Sequence, residues 1–266
     1  MIKMELERYK FSCVIIMGEI KGVPASDIFY SMKKLVFFFL FLVLLCNSVS
    51  LLAQIEPEEI KPETDKFQDY FYESLKQKGI GNTRVIIADI SDDEESLNWL
   101  YRAQIDYKYS INIEVIKGGY PSKARLEGSK LVDTPYILFL DADIMLLDKS
   151  VLNIISGFKG DLLTVPFQTE KGWNWVFRLF DWFQILSIKL GTPFAVGGFQ
   201  YWNTQTYWDL GGYKEDELFA EDYSLSSKVK PKKFWIHKSN GVFTSARRFK
   251  KKGISYMFWI MIKSYL

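Results

Sequence analysis

The sequence predicts an α/β fold in which helices cover both faces of a mostly parallel β-sheet. Short apolar runs alternate with amphipathic helical patterns from residue 67 onwards, as expected for such a sheet. The chain has 266 residues, of which 48% are hydrophobic and 17% aromatic, enough for one sizeable domain with its own core. The formal net charge is only +2, which argues against a nucleic-acid-binding chain.

The individual elements follow from hydrophobic periodicity and from the turn residues between them. Strands are predicted at 84–90, 111–119, 136–146 and 161–168, and helices at 67–78, 95–108, 121–132, 148–157 and 173–190. The last of these helices has a very wide aromatic face. Such a face is typical of a core helix or of a surface that contacts a membrane.

An uncharged segment at 35–53 follows Lys33 and Lys34 and is just long enough to cross a bilayer as a helix. We expect a membrane anchor here; a cleaved signal peptide starting at Met32 and a buried helix are the alternatives. The predicted organisation is a tail at 1–34, the anchor or signal at 35–53, a linker at 54–66, a catalytic-type domain at 67–253 and an apolar tail at 254–266.

Three carboxylates follow apolar runs that are predicted to be strands. Asp89 ends "VIIAD", and Asp141 and Asp143 end "YILFLDAD". Ligands of parallel sheets bind beyond the carboxyl ends of the strands, so these side chains are expected at one edge. A carboxylate pair suits a hard divalent ion that also binds phosphate oxygens. The alternative is that Asp141 or Asp143 caps the next helix.

A second acidic pair, Glu221 and Asp222, follows the run "LGGYKEDELFA". A carboxylate close to a bound substrate can act as a general base when burial and neighbouring charges adjust its pKa. The alternative is that the pair lies in the first turn of a helix, where negative charge is favourable.

Arginines supply the complementary charge. Arg247 and Arg248 in "TSARRFKKKG" are candidates for a bidentate grip on a diphosphate. A solvated surface or attraction to anionic lipid is the alternative for this basic stretch. Arg125 in "SKARLEGS" is predicted to face the same edge as Asp89, with an exposed helix position as its alternative. His237, the single histidine, is more typical of a structural residue than of a metal ligand.

In their order along the chain, these motifs resemble family 2 glycosyltransferases with the GT-A fold. The resemblance rests on "VIIADISDD", "GGYPSKARLEGS", "YILFLDADIML", "TPFAVGGFQYWN", "LGGYKEDELFAEDYSLSSKV" and "VFTSARRFKKKG", and covers roughly residues 67–253. It implies a nucleotide-sugar donor, a glycan or lipid-linked acceptor, and Mg²⁺ or Mn²⁺ as the metal.

On the donor side, the resemblance implies that Asp89 holds the nucleotide base or ribose and that Arg125 lies near the base and phosphates. Asp141 and Asp143 match the D-x-D pair, with Asp141 on the nucleotide side and Asp143 as the metal ligand.

On the acceptor side, Asp222 matches the catalytic base of an inverting displacement, and Glu221 matches its neighbour. Gly197 and Gly198 would let the chain pass close to the acceptor.

The family opens with a hydrophobic strand that ends in a proline and an Asn-Glu pair. The corresponding stretch here reads "QIEPEEIKPETDKF", where Pro62 and Glu63 are the candidate remnant. Two alternative functions stay open, the first because of this weak first strand and the second because its class also uses aspartates and a metal at a sheet edge. One is a catalytically impaired GT-A-like binding or scaffold protein, and the other is a nucleotidyltransferase acting on sugar phosphates.

The expected location is a membrane, through residues 35–53. Lysines before this segment and acidic residues after it favour a domain outside the cytoplasm. A nucleotide-sugar donor in the cytosol requires the domain to lie on the cytoplasmic side instead. We therefore expect the catalytic domain to face the cytoplasm.

Overall fold

The computed structural model describes residues 12–17, 84–90, 98, 100–102, 104–105, 112–141, 144–147, 151, 155, 157–217, 220–238 and 241–256. The predicted helix at 67–78, the segment 35–53, the linker at 54–66 and Asp143 lie outside these residues, and for 12–17 the description is limited to the backbone.

A seven-stranded sheet forms the centre of the described fold. Its strands are β1 (Ser12–Met17), β2 (Arg84–Asp89), β3 (Asn112–Lys117), β4 (Tyr136–Asp141), β6 (Leu162–Thr164), β7 (Phe199–Asn203) and β8 (Phe234–Ile236). They lie in the order β3-β2-β1-β4-β7-β6-β8. Strand β7 runs antiparallel to β4 and β6, and the other neighbouring strands are parallel. The predicted mostly parallel sheet is confirmed.

The first strand of the sheet lies far upstream of the predicted domain. Strand β1 pairs with β2 along six residues and with β4 along five, so it occupies the middle of the sheet. The prediction that 1–34 is a tail outside the fold is therefore wrong for Ser12–Met17. The run "SCVIIM" is only six residues long. It was not predicted as a strand because the longer apolar segment at 35–53 has the stronger hydropathy signal.

This topology also corrects the predicted single-span anchor. A single bilayer crossing between β1 and β2 would put the two strands on opposite sides of the membrane, whereas they pair in one sheet. Cleavage of a signal peptide near residue 53 would remove β1 altogether. Within the described part of the chain, no helix combines the length and apolar character needed to span a bilayer.

Five α-helices are fully bounded in the described residues: α1 (Pro121–Lys130), α2 (Asn174–Lys189), α3 (Thr204–Asp209), α4 (Glu221–Ser226) and α5 (Arg247–Lys252). The helices predicted at 121–132 and 173–190 are confirmed as α1 and α2. Proline occupies the first turn of α1, where its missing N–H costs nothing. The described residues within 98–105, and 151, 155 and 157, are also helical, as predicted.

The core has two layers, one on each face of the sheet. In β2, Val85 and Ile87 join one layer and Ile86 joins the other, as the two-residue period of a strand requires. In β4, Leu138 and Leu140 lie on the first face while Phe139 lies on the second. Burial on both faces explains why these strands read as continuous apolar runs.

The predicted strand at 136–146 is divided in two. Strand β4 ends at Asp141, and β5 (Ile144–Leu146) pairs instead with β9 (Val242–Thr244) in a separate two-stranded sheet. The chain thus leaves the main sheet at the D-x-D motif. This placement puts Asp141 at the carboxyl edge of the sheet, where the sequence predicted it.

Candidate functional site

The predicted carboxylates of β2 and β4 flank the carboxyl end of β1. Asp89 is opposite Met17 in one pair of strands, and Asp141 is opposite Ile16 in the other. Two strand spacings therefore separate their backbones, roughly 10 Å. Asp89 is buried at 6% exposure, whereas the Asp141 side chain is 31% exposed. The predicted convergence of these two residues at one edge is confirmed.

Arg125 links this edge to the second acidic pair. The residue lies in α1 and is only 2% exposed. Its Nη2 donates to Asp141 Oδ1 over 2.9 Å, and its Nη1 donates to Glu221 Oε1 over 2.6 Å. Nη2 also approaches the carbonyl oxygen of Gly197 at 3.4 Å. The alternative of an exposed arginine on this helix is therefore wrong.

Glu221 and Asp222 form the first turn of α4, directly after Ala220, which has a left-handed backbone with φ of 54°. This placement matches the alternative of an acidic pair at a helix N-terminus. The pair also extends into the site, because Glu221 binds Arg125 and a Cβ on Gly197 would lie 3.4 Å from Asp222 Oδ2.

Burial raises the pKa of Asp222 to about 7, and the negative charge of Glu221 adds to the rise. The positive charge of Arg125 and the backbone N–H groups of Tyr223 and Gly197 oppose it. One of these N–H groups, that of Tyr223, donates to Asp222 Oδ1 over 2.9 Å. A carboxylate with a pKa near 7 is well matched to general-base chemistry at neutral pH.

The two glycines make room for neighbouring side chains. A Cβ on Gly197 would lie 3.0 Å from Arg125 Nη2, which is closer than ordinary van der Waals contact. A Cβ on Gly198 would meet Ile144 Cδ1 at 3.0 Å. The backbone of Gly198 also accepts a hydrogen bond from Asp141 N over 3.2 Å. Their predicted role beside an acceptor stays a prediction.

The sequence missed the platform beneath Arg125. The guanidinium carbon lies 5.3 Å from the ring centroid of Tyr213, a cation–π contact. The Tyr213 hydroxyl donates to Gln200 Oε1 over 2.7 Å, and Trp202 Nε1 donates to the same oxygen over 2.8 Å. Gln200 Nε2 binds the carbonyl of Ala195. No sequence pattern marked Gln200, because a buried amide in a strand is recognisable only from its partners.

Glu170, also missed, fixes the start of the basic helix α5. Its carboxylate accepts hydrogen bonds from Ala246 N at 2.8 Å and Ser245 Oγ at 2.9 Å. Burial would raise the Glu170 pKa, but these bonds and one from Thr169 outweigh it and hold the pKa at about 2. Arg247 therefore begins a helix whose N-terminus is tied to a permanently charged carboxylate.

Arg247 and Arg248 are both exposed at the start of α5. In strand β9, Thr244 pairs with Ile144, the residue directly after Asp143. Arg247 follows Thr244 by three residues. This register brings the basic helix towards the D-x-D segment, as the diphosphate-binding prediction requires. The contact with a diphosphate stays a prediction.

A divalent ion fits the donor chemistry at this edge. Asp141 keeps one carboxylate oxygen outside its hydrogen bond to Arg125, and Asp143 follows two residues later. Carboxylate oxygens are the ligands that Mg²⁺ and Mn²⁺ prefer. Among the residues that the structure describes, no group of three or more His, Cys, Asp or Glu side chains forms a metal cluster.

The raised pKa of Asp222 has a consequence for stability. Between the unfolded pKa of 3.8 and the folded pKa of about 7, the folded state binds more protons, so the free energy of unfolding falls as pH rises. We expect Asp222→Asn to gain roughly 1–3 kcal/mol over the wild type between pH 5 and pH 8, since one pKa unit corresponds to about 1.4 kcal/mol. Urea denaturation of both proteins at the two pH values measures this difference. An equal pH dependence would contradict the assignment.

The sequence matches no protein-family model and no curated protein. Several solved structures have a fold similar to that of this chain. TarS residues 1–349 from S. aureus, in complex with UDP, gives a TM-score of 0.50 at 13% identity and covers 89% of this chain. This chain spans 60% of that fragment. Mannosyltransferase PcManGT from Pyrobaculum calidifontis, in complex with GDP-Man and Mn²⁺, gives a TM-score of 0.53 at 12% identity, over 86% of this chain and 74% of that one.

At these identities, structural similarity establishes the fold and leaves the activity to the chemistry of the site. One of these structures contains UDP, and the other contains GDP-Man and Mn²⁺. The strand order, the two-faced core and these superpositions agree: the chain has a GT-A-like glycosyltransferase fold.

Proposed function

We propose that the protein is a metal-dependent inverting glycosyltransferase that moves a sugar from a nucleotide-sugar to a hydroxyl of a glycan or lipid-linked acceptor. The observation that carries the proposal is the meeting of two motifs at one site. Arg125 joins Asp141 of the D-x-D motif to Glu221, and Asp222, with its pKa of about 7, follows Glu221. Donor-side and base-side carboxylates are thus held on one scaffold.

In the proposed reaction, Asp222 takes the proton of the acceptor hydroxyl. The hydroxyl oxygen then forms a bond to the anomeric carbon from the side opposite the leaving group, and the bond from that carbon to the diphosphate oxygen breaks. Its electron pair leaves with the nucleoside diphosphate, so the configuration at the anomeric carbon inverts. A divalent ion held by Asp143 would neutralise charge on the diphosphate.

On the donor side, Asp89 would bind the base or ribose, and Arg247 and Arg248 would contact the diphosphate. Charge-assisted hydrogen bonds of this type contribute more than neutral ones. The bound nucleotides UDP and GDP-Man in the two similar structures support this assignment by analogy of fold.

The alternative functions now have weaker support. The scaffold alternative rested on a missing first strand, and β1 supplies a first strand in the middle of the sheet. A nucleotidyltransferase would also use aspartates and a metal, but the base-like pKa of Asp222 has no part in attack by a sugar phosphate, which is already ionised at neutral pH.

The test incubates the purified full chain with a panel of nucleotide-sugars, with and without Mn²⁺, and measures release of nucleoside diphosphate. We expect release from one donor class, dependent on the ion and increased by a suitable acceptor. Pyrophosphate release from a nucleoside triphosphate and a sugar phosphate would instead establish the nucleotidyltransferase. No release from any donor would overturn the proposal.

We also propose that the solvent face of α2 contacts an anionic membrane surface. Two tryptophans on this face, Trp175 and Trp182, are 40% and 44% exposed. Arg178 lies between them at helical spacing, and Ile185 and Lys189 follow Trp182 on the same face. All three are exposed. Exposed tryptophan combined with cations is the composition of helices that lie in the membrane interface. The only acidic residue of α2 is Asp181, which pairs with Arg178 at 3.6 Å.

Co-sedimentation of the full chain with vesicles tests this contact. We expect binding to vesicles that mix phosphatidylcholine with phosphatidylglycerol to exceed binding to phosphatidylcholine alone, and Trp182→Ser to weaken it. The matched control is Trp208→Ser, since Trp208 is exposed to a similar extent on α3. Equal binding by the two variants would contradict the proposal.

A further inference from the structure

We propose that Arg125 is a positioning residue: it fixes the acidic pair of α4 against the D-x-D edge and makes no direct contact with the donor diphosphate. This inference rests on the proposed function and changes the role of one residue in it. The sequence resemblance had implied a place for Arg125 near the base and phosphates of the donor.

The guanidinium is enclosed by protein. Its Nη1 binds Glu221 and its Nη2 binds Asp141, at 2.6 and 2.9 Å. With 2% of its surface exposed, Arg125 has no free face to offer a ligand. Nε, the third nitrogen of the group, is buried and has no hydrogen-bond partner. An arginine that grips a phosphate needs its donors exposed to the phosphate oxygens.

The packing around the guanidinium is specific to its planar shape. The Tyr213 ring lies on one side, with its hydroxyl fixed by Gln200. Gly197 lies close enough that a Cβ would stand 3.0 Å from Nη2. A planar fork that bonds two carboxylates and lies over an aromatic ring cannot be replaced by the point charge of lysine without loss.

The charges explain why the residue stays ionised in this buried position. Burial alone would lower the pKa of Arg125, but Asp141, Tyr213, Glu221 and Asp222 together outweigh burial and raise it. In return, its positive charge opposes the rise in the pKa of Asp222. Removing the guanidinium would leave two or three carboxylates close together without their common counter-charge.

Arg125 also connects parts of the chain that are distant in sequence. It reaches 16 residues along the chain to Asp141 and 96 residues to Glu221. The contact with Asp141 fixes one end of the fork at the end of β4, and the contact with Glu221 fixes the other at the start of α4. A displacement of the base by about 1 Å is enough to lower the rate about 100-fold.

The test compares Arg125→Lys and Arg125→Met with Arg84→Lys. Arg84 is the matched control, because it is ion-paired to Glu114 at the opposite end of β2 from Asp89. Calorimetry with the nucleoside diphosphate of the active donor measures binding, and steady-state kinetics measures kcat. For Arg125→Met we expect unchanged diphosphate affinity and a fall in kcat of about 100-fold. We also expect the acidic limb of the pH–rate profile to move to higher pH, and partial recovery of both in Arg125→Lys.

A fall in diphosphate affinity of about tenfold or more in Arg125→Met, with kcat nearly unchanged, would overturn the inference, because that is the effect of losing a charged hydrogen bond to the ligand. So would a kcat in both variants equal to that of Arg84→Lys.

If Arg125→Met does not fold, Arg125→Lys carries the comparison, since lysine keeps the positive charge but not the planar fork. The same split between kcat and affinity is then expected.

A further readout does not depend on transfer activity. Urea denaturation across pH 5 to 8 reports the titration of Asp222 by comparison with Asp222→Asn, and this step should move to higher pH in Arg125→Met and by less in Arg125→Lys, which keeps the positive charge. If the wild type transfers no sugar, the proposed function fails while this measurement still decides the position of Arg125. An unmoved step would overturn the inference whatever the activity.

Discussion

Replacing Asp222 by asparagine is expected to slow sugar transfer by about two to four orders of magnitude and to leave donor binding intact. Asparagine keeps the size of the side chain and an oxygen for the Tyr223 N–H, but it cannot accept the proton of an acceptor hydroxyl. General-base catalysis contributes about 10²–10⁴-fold, so kcat should fall by that factor. Steady-state kinetics with the active donor measures kcat, and calorimetry with its nucleoside diphosphate measures binding.

The matched control is Asp216→Asn, which removes an exposed carboxylate of the loop that precedes α4. This control should retain the wild-type kcat. If Asp222→Asn kept more than a tenth of the wild-type kcat, another group would have to take the proton, and the assignment of the base would be wrong.

Replacing Asp143 by alanine is expected to remove the response of the enzyme to Mn²⁺. The wild type should bind Mn²⁺ more tightly when nucleoside diphosphate is present, because carboxylate and phosphate oxygens complete the coordination shell together. The variant should lose this gain, with at least a tenfold weaker affinity for the ion, about 1.4 kcal/mol. Electron paramagnetic resonance of free Mn²⁺ measures binding directly, and transfer rates with a chelator measure the functional requirement.

Asp133→Ala is the control for the metal, since Asp133 is an exposed carboxylate in the turn before β4. It should bind Mn²⁺ as the wild type does. Full transfer in the presence of excess chelator would contradict the metal requirement, and unchanged Mn²⁺ binding by Asp143→Ala would contradict the ligand assignment.

The parts of the fold that the sequence predicted are those fixed by local pattern. Strands β2 and β4 carry apolar runs because both faces of the sheet are covered, and their terminal aspartates mark where each strand leaves the core. The period of α2 and the proline at the start of α1 are equally local signals. Such signals depend on neighbours within a few residues, so one sequence is enough to read them.

Strand β1 was missed because its evidence is not local. Five apolar residues at 13–17 are compatible with several structures, and pairing of the strand with β2 some 70 residues later decides between them. The prediction of a membrane anchor at 35–53 also rested on local hydropathy alone. An apolar segment of that length indicates a bilayer span by itself, and only the strands paired across it show that a single crossing does not fit.

The residues of the site also differ in how far they could be predicted from local sequence. Asp89, Asp141 and Asp222 were predicted as site residues, because each belongs to a motif that can be recognised within a few residues. The position of Arg125 depends on contacts 16 and 96 residues away, and that of Tyr213 depends on Gln200. A motif could show that an arginine is present there, but its burial between two carboxylates exists only in the folded chain.

The most direct test of the assignment is a calorimetric titration of the full chain and of Asp89→Ala with UDP, GDP, ADP and CDP in the presence of Mn²⁺. If the carboxyl edge between β2 and β4 is the donor site, the wild type binds one of these diphosphates. Asp89→Ala should then bind it at least about tenfold more weakly, since a charged hydrogen-bond acceptor is lost. Absence of binding to all four, or equal affinity in the variant, would place the nucleotide elsewhere or exclude it.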